Sequence, residues 1–181
     1  MKKDFPLYEK ELKLSDQSFD DIIGAATPFY DAIGRVSVNF AVLEDSLSSA
    51  ITLLLRSDNK KGLLITSEMS FKAKLNVMAA LVKEDIKSGS SPFENALSDF
   101  EDLIYMCQKS EEIRNRILHS SWIFNYRNVD VKRVKRSAKR KGFVEDSQTL
   151  TPGQIVQKAD YIIYTATCVE ELFEVISNNP S

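Results

Sequence analysis

The sequence predicts an all-α protein: an up-and-down bundle of four helices with a short β-hairpin-like insertion before the last helix. Apolar residues recur at alternating intervals of three and four residues over several long stretches, which is the period of a helix with one buried face. The 181 residues include only 6 Gly and 5 Pro, fewer turn residues than a many-stranded sandwich or barrel needs. The length fits a single domain, residues 1–181, which can bury a core without metal or disulfide support.

The first long helix is expected from Pro28 to about Arg56. It follows an N-terminal extension, residues 1–27, in which a short helix ends near Gly24. Glu44 lies beside the apolar stripe rather than opposite it, so its carboxylate either reaches water or requires a polar partner. The stripe consists of Phe29, Ile33, Val36, Phe40, Leu43, Leu47, Ile51 and Leu54.

Two more helices are expected after a turn at residues 57–62. Ser67 or Ser70 can cap the second helix, and Ser91 with Pro92 can start the third, which runs to about residue 120. The buried face of the second helix comprises Phe71, Leu75, Met78, Val82 and Ile86. That of the third comprises Phe93, Leu97, Phe100, Ile104 and Cys107.

The fourth long helix is expected from Thr151 to about Ser177. Thr151, Pro152 and Gln154 supply a hydroxyl cap, a proline at the first position and the far residue of a capping box. Before this helix, residues 122–150 alternate between apolar and polar side chains. This alternation predicts a β-hairpin or a pair of short strands.

Basic residues concentrate in this insertion. Seven occur between residues 131 and 141 without an acid, so the rest of the chain carries −9 to give the total of −2. An exposed basic arm would attract RNA phosphates in a sequence-independent way, although a solvated loop with no specific partner has the same composition. Tyr126 can stack on a base, whereas Trp122 is expected to be buried. The basic residues are Lys132, Arg133, Lys135, Arg136, Lys139, Arg140 and Lys141.

The composition argues against several classes of protein. Cys107 and Cys168 lie in apolar helical patterns and match no metal or redox spacing, so both are expected in the core. With a single histidine, we expect no metal site and no cofactor. No apolar run follows the N-terminal lysines, and no uncharged stretch reaches roughly 18 residues. We therefore expect a cytoplasmic protein without membrane contact.

The third long helix ends in a cluster of polar residues that includes the only histidine, His119. Arg114 occupies a position where the apolar stripe would continue, and Asn115 follows it. On an ideal helix Asn115 and His119 lie nearly in line, but Arg114 and His119 lie about 140° apart. They could meet if the helix loosens near Ser120, or if a ligand sits between two copies of the chain. Otherwise, Arg114 is a solvated residue and His119 a cation stabilised by the helix dipole.

The stretch from Arg114 and Asn115 to His119, near the end of a long helix in a small helical chain, resembles the arginine-to-histidine signature of the HEPN superfamily (higher eukaryotes and prokaryotes nucleotide-binding domains). Four residues separate Arg114 and His119, a spacing common in that family, and Asn is often the residue after the arginine. An acidic residue on an earlier core helix often supports the family's site, and Glu44 is similar to it. The basic insertion is not part of the family's minimal pattern.

The resemblance implies a metal-independent endoribonuclease of the toxin–antitoxin or defence type, which acts as a homodimer with both motifs in one cleft. An antitoxin or a nucleotidyltransferase would be its partner. RNA would be cut by its own 2′-hydroxyl, leaving 2′,3′-cyclic phosphate ends. His119 would serve as acid or base, Arg114 would stabilise the transition state, Asn115 would bind phosphate or ribose, and Glu44 would orient Arg114 or His119.

Two alternatives remain open at the level of sequence. In the first, the chain is a noncatalytic HEPN dimer that binds RNA, nucleotide or a partner protein. In the second, it is a purely structural subunit in which Arg114 pairs with Glu44 and His119 caps its helix.

Overall fold

The computed structural model describes residues 16–88, 93, 96–125, 130–139 and 142–178. Over these ranges the chain forms five helices and three strands: α1 (Asp16–Leu54), α2 (Asn59–Thr66), α3 (Phe71–Lys87), α4 (Leu97–Leu118), β1 (Ser121–Asn125), β2 (Asp130–Lys139), β3 (Gly142–Thr149) and α5 (Pro152–Asn178). The predicted mostly helical fold, with strands before the last helix, is confirmed. Among the described residues, no helix is both long and apolar enough to cross a membrane.

The longest helix, α1, is continuous from Asp16, so the predicted boundary at Pro28 is wrong. Proline in a helix interior cannot donate to the carbonyl four residues earlier, here that of Gly24. Gly24 is exposed, so water can hydrate this carbonyl, and Thr27 Oγ1 donates to the carbonyl of Ile23 at 2.8 Å. Helical spacing therefore continues through the proline.

Helix α1 is the centre of the core and packs against each of the other four helices. Most of its predicted stripe is buried, and Ile33 and Leu54 pack against the core while partly buried. Cys107 is buried and Cys168 partly buried, both as free thiols, as predicted. Burial raises the pKa of the Cys107 thiol to about 12. The buried stripe of α1 consists of Phe29, Val36, Phe40, Leu43, Leu47 and Ile51.

Helix α2 occupies most of a segment predicted to be only a turn. Asp58 caps it by accepting a hydrogen bond from the backbone N–H of Lys61 at 3.0 Å. Gly62 is buried against α1, where an added Cβ would overlap the side chain of Thr52. Residue types such as Asp, Asn and Gly favour a turn, but the same types also cap helices and permit close helix packing.

Two of the predicted helix starts are confirmed. Ser70 Oγ accepts a hydrogen bond from the N–H of Ala73 at 3.2 Å. Thr151 and Gln154 form the reciprocal capping box, with its two hydrogen bonds at 2.9 and 3.3 Å. The predicted start at residues 91–92 lies outside the described residues.

The insertion forms a three-stranded antiparallel sheet in the order β1–β2–β3 rather than a two-stranded hairpin. The sheet joins the helical core through Phe124, whose ring centroid lies 5.7 Å from those of Phe29 and Tyr30, and through the buried Val131. Every residue of β3 is exposed, so this strand lacks the buried face that makes a strand recognisable in sequence.

Candidate functional site

The end of α4 is placed by its buried side, which includes Phe100, Leu103, Cys107 and Ile117. Arg114 is partly buried and His119 is exposed. His119 is the C-terminal cap residue, with φ −101° and ψ 32°, so the chain leaves helical geometry there. The change of direction lets the imidazole turn away from the position that an ideal helix would give it.

Arg114 and His119 meet within one chain. Arg114 Nη1 lies 2.8 Å from His119 Nε2 and donates to Asn115 Oδ1 at 3.0 Å. A guanidinium only donates, so a hydrogen bond between these two nitrogens has Nε2 as its acceptor and leaves the imidazole proton on Nδ1. On an ideal helix the two side chains point apart, which suggested a second copy as one way to bring them together. They meet within one chain because the helix ends before His119.

A buried aromatic ring supports the guanidinium from α1. Arg114 Cζ lies 5.4 Å from the centroid of the Phe40 ring, a distance at which the ring quadrupole attracts a cation. Phe40 is buried, and its centroid lies 4.7 Å from that of Phe71. Sequence reasoning missed this contact. The available signal was a guanidinium on an apolar stripe, which favours an aromatic neighbour.

Glu44 was predicted to orient Arg114 or His119. It lies one helical turn beyond Phe40 and is partly buried. Among the residues that the structure describes, its carboxylate forms no ion pair or hydrogen bond with Arg114 or His119. The Arg114–Glu44 pair that the purely structural alternative requires is therefore not formed between these described residues. Phe40 and Asn115 hold the guanidinium instead.

The sheet supplies donors to the end of α4. Lys135 Nζ donates to the main-chain oxygen of Asn115 at 3.2 Å, and Trp122 Nε1 donates to that of Ile117 at 3.1 Å. Carbonyls in the last turn of a helix carry the negative end of its dipole, so a cation there is stabilising. Lys135 therefore brings a second fixed positive charge beside the residue that contacts Arg114, and Trp122 is partly buried against the helix as expected.

The burial of Arg133 contradicts the prediction of an exposed RNA-binding arm at this position. Its side chain is only 3% exposed, and its Nη2 lies 2.6 Å from Asp146 Oδ2. Nη1 donates to Ser120 Oγ at 3.2 Å, next to His119. The Arg133 hydrogen bond and charge hold the pKa of Asp146 below its usual value. Arg133 joins the sheet to the helix end and is not presented to a ligand.

Acids on β3 balance part of the basic run on β2. Antiparallel pairing places Asp146 opposite Lys135 and Glu145 opposite Arg136, and Arg136 Nε lies 2.9 Å from Glu145 Oε2. Lys132 is exposed, and Lys135 is partly buried. The remaining predicted RNA contacts, Tyr126, Arg140, Lys141 and the side chain of Lys139, lie outside the described part of the chain.

The outward face of α4 near the site is also paired. Arg116 Nη2 lies 2.7 Å from one oxygen of Glu112, and Lys109 Nζ lies 2.9 Å from the other. The hydrogen bond from Lys109 is the main cause that lowers the pKa of Glu112, with the Arg116 charge contributing. Arg116 is exposed and paired with Glu112, so Arg114 is the arginine of interest.

No protein-family model, curated protein or solved structure matches the chain. The geometry of the site must therefore carry its interpretation. Within the described ranges, no three His, Cys, Asp or Glu side chains cluster as a metal site would require. The site consists of an exposed imidazole, a partly buried guanidinium in contact with it, an amide, and the nearby ammonium of Lys135.

Proposed function

We propose that this chain is an endoribonuclease of HEPN type that cleaves RNA without a metal ion, by attack of the 2′-hydroxyl. The 2.8 Å contact between Arg114 Nη1 and His119 Nε2 at an exposed helix end supports this function. Asn115 directly after the arginine, and long helices compatible with an up-and-down four-helix bundle, also resemble that superfamily.

The nucleophile, the 2′-hydroxyl, is already part of the substrate. The reaction needs a base because this hydroxyl must lose its proton as it attacks. The base takes the proton of the 2′-hydroxyl, the 2′-oxygen bonds to phosphorus, and the bond from phosphorus to the 5′-oxygen breaks. Neutral His119 is in the protonation state that accepts this proton at Nε2. An incoming phosphate attracts the Arg114 donors away from the imidazole, which frees the lone pair and places the guanidinium against the developing charge.

The leaving 5′-oxygen takes a proton from an acid on the other side of the phosphorus. In a homodimer with both motifs in one cleft, the second copy would supply that acid. The resemblance implies a dimer with both motifs in one cleft, and the chemistry gives that dimer a purpose: His119 of the second copy, in its protonated form, would donate a proton to the 5′-oxygen and become neutral. Asn115 would bind the phosphate or ribose.

We also propose that the protein is a cytoplasmic effector. An antitoxin or a nucleotidyltransferase would restrain its activity.

Binding of the RNA backbone would use the cations that remain available on the sheet. Lys132 is exposed, and Lys135 lies beside Asn115. Because phosphate binding by cations releases counterions, RNA affinity would fall as salt rises. Arg133 does not contribute directly, since its guanidinium is buried.

The test is RNA cleavage in EDTA by the wild type, His119→Ala and Arg114→Ala, with Arg116→Ala as the matched control. Loss of a general acid or base typically lowers the rate by about 10²–10⁴-fold, and loss of one transition-state donor by about 10²–10³-fold. We expect losses in these ranges for the first two variants, near-normal cleavage by Arg116→Ala, and 2′,3′-cyclic phosphate ends. Cleavage that requires a divalent metal, or that survives both substitutions at the site, contradicts the proposal.

A noncatalytic HEPN dimer that binds RNA, nucleotide or a partner protein is the second candidate function. The observation that favours it is the internal pairing of Arg114 with Asn115 and His119, which forms a stable polar surface without any substrate. RNA retained intact by the purified protein, together with normal growth of cells that overexpress it, would select this function.

A further inference from the structure

A shallow cavity of about 370 Å³ lies where the end of β3 meets the first turns of α5. Ile113 of α4 forms part of its wall. Its volume is within the range of sites that bind small molecules, roughly 300–1,000 Å³. The polar groups around it are three glutamines, one lysine and one tyrosine: Gln148, Gln154, Gln157, Lys158 and Tyr161.

Four of these five side chains come from one face of α5. Residues 154, 157, 158 and 161 follow the spacing that places helical side chains side by side. The capping box fixes the first of them, because Gln154 Oε1 accepts the N–H of Thr151 and leaves Nε2 as a donor. Gln148 faces them from β3. The cavity is therefore built on two regular elements rather than on a loop.

The polar groups of the cavity are available to a ligand. Within the described parts of the chain, the side chains of Gln148, Gln157, Lys158 and Tyr161 form no hydrogen bond or ion pair. Burial raises the pKa of the Tyr161 phenol, so this hydroxyl remains a donor at neutral pH. Among the residues that the structure describes, no carboxylate lines the cavity, so a ligand that presents acceptor atoms or carries negative charge meets no charge of its own sign.

This set of groups fits a nucleobase. Primary amides pair with the donor and acceptor edges of bases, and an aromatic ring can stack on an unpaired base. Lys158 Nζ and Gln154 Nε2 can only donate, and guanine offers two neighbouring acceptors, O6 and N7. The remaining amides can accept from the guanine N–H groups.

The cavity and the Arg114–His119 site share the last turns of α4 and the pairing of β2 with β3. Ile113 immediately precedes Arg114, and His119 lies six positions beyond Ile113, about 9 Å along the axis of an ideal helix. On the sheet, Gln148 pairs across from Arg133, which holds Ser120 beside His119. A nucleotide a short way along an RNA from the reacting phosphate can therefore reach the cavity.

We propose that this cavity is a base-recognition subsite that selects guanine in the RNA cleaved at the Arg114–His119 site. The inference rests on the proposed function. It makes Gln148, Gln157 and Lys158 determinants of cut-site preference that take no part in the chemistry.

The test compares the wild type with the Gln148→Ala/Gln157→Ala double variant, and uses Gln108→Ala, an exposed glutamine on α4, as the control. Each cleaves a pool of single-stranded RNAs in EDTA, and the cut sites are mapped. We expect a preference of about tenfold for guanine at one fixed position from the cut in the wild type and the control. The double variant should lose this preference while cleaving guanine-free RNAs at the wild-type rate.

A second measurement separates failure of this inference from failure of the proposed function. His119→Ala protein, with and without the double substitution, is titrated with short oligonucleotides of A, C, G or U. Tighter binding of the guanine oligonucleotide that requires both glutamines supports the subsite even if the wild type cuts no RNA. Equal binding of the four oligonucleotides, or a guanine preference unchanged in the double variant, overturns it.

Discussion

The ring beneath Arg114 predicts an energetic coupling between helices α1 and α4. The perturbation is Phe40→Leu, which keeps an apolar side chain but removes the ring, combined with Arg114→Met, which keeps an apolar stem but removes the charge. Cation–π contacts contribute about 0.5–1 kcal/mol when exposed and about 2 kcal/mol when desolvated. Arg114 is partly buried and its Cζ lies 5.4 Å from the centroid, so we expect a coupling of about 1 kcal/mol.

The assay is urea unfolding of the wild type, both single variants and the double variant, because a double-mutant cycle isolates the pairwise contribution. Phe71→Leu is the matched control: it removes the ring packed on Phe40 but no partner of Arg114. Its cycle with Arg114→Met should give a coupling below about 0.5 kcal/mol. Equal couplings for Phe40 and Phe71, or none for Phe40, would refute the idea that the ring holds the guanidinium.

The same contact has an expected kinetic effect. If the ring orients Arg114 toward the phosphate, a loss of about 1 kcal/mol of transition-state stabilisation lowers kcat about fivefold. Phe71→Leu should leave kcat nearly unchanged after correction for the folded fraction.

Three further predictions concern stability. Gly62→Ala forces a Cβ into α1 and should destabilise the fold by about 1–3 kcal/mol in urea unfolding, whereas Gly34→Ala, which has open space, should not destabilise it. Because the pKa of Asp146 is lowered, its carboxylate stabilises the fold above about pH 4, and this contribution disappears as pH falls through the lowered pKa. The free energy of unfolding of Asp146→Asn should therefore differ less from that of the wild type at low pH. An equal difference at every pH argues against the ion pair. Lys135→Ala should cost about 0.3–1 kcal/mol at low salt through loss of a cation at the end of α4, and a similar loss for the exposed Lys132→Ala would contradict that cause.

The sequence predicted the core because burial follows periodicity. Most of the stripe from Phe29 to Ile51 is buried, and the capping box at Thr151 starts α5 where the pattern placed it. Such features depend on neighbouring residues alone. The predicted helix boundary at Pro28 was wrong for the same reason. Proline is a local stop signal, and only packing along the whole of α1 outweighs it.

For the candidate site, the sequence indicated which residues to consider but not how their side chains are arranged. Arg114, Asn115 and His119 were identified from spacing, yet ideal helical angles separated the arginine from the histidine because the end of the helix was not known to one residue. The aromatic support came from Phe40, some seventy positions away, and no local pattern indicates such a pairing.

In the basic insertion, the number of basic residues did not predict how many of them are exposed and unpaired. The burial of Arg133 depends on strand register, which brings β3 acids opposite β2 bases. Because β3 has no buried face, the sequence contained no signal for this register. The result is a sheet with few free cations among its described residues, where an exposed arm of seven was expected.

The most direct measurement of the central claim is the cleavage rate in EDTA on two matched RNAs, one of which carries a 2′-deoxy sugar at the mapped cut site, for the wild type and for His119→Ala. If His119 accepts the proton of the 2′-hydroxyl while Arg114 stabilises the phosphate, only the wild type acting on the all-ribose RNA cleaves at that position. Cleavage of the 2′-deoxy RNA, or equal rates for the wild type and His119→Ala, would contradict the account.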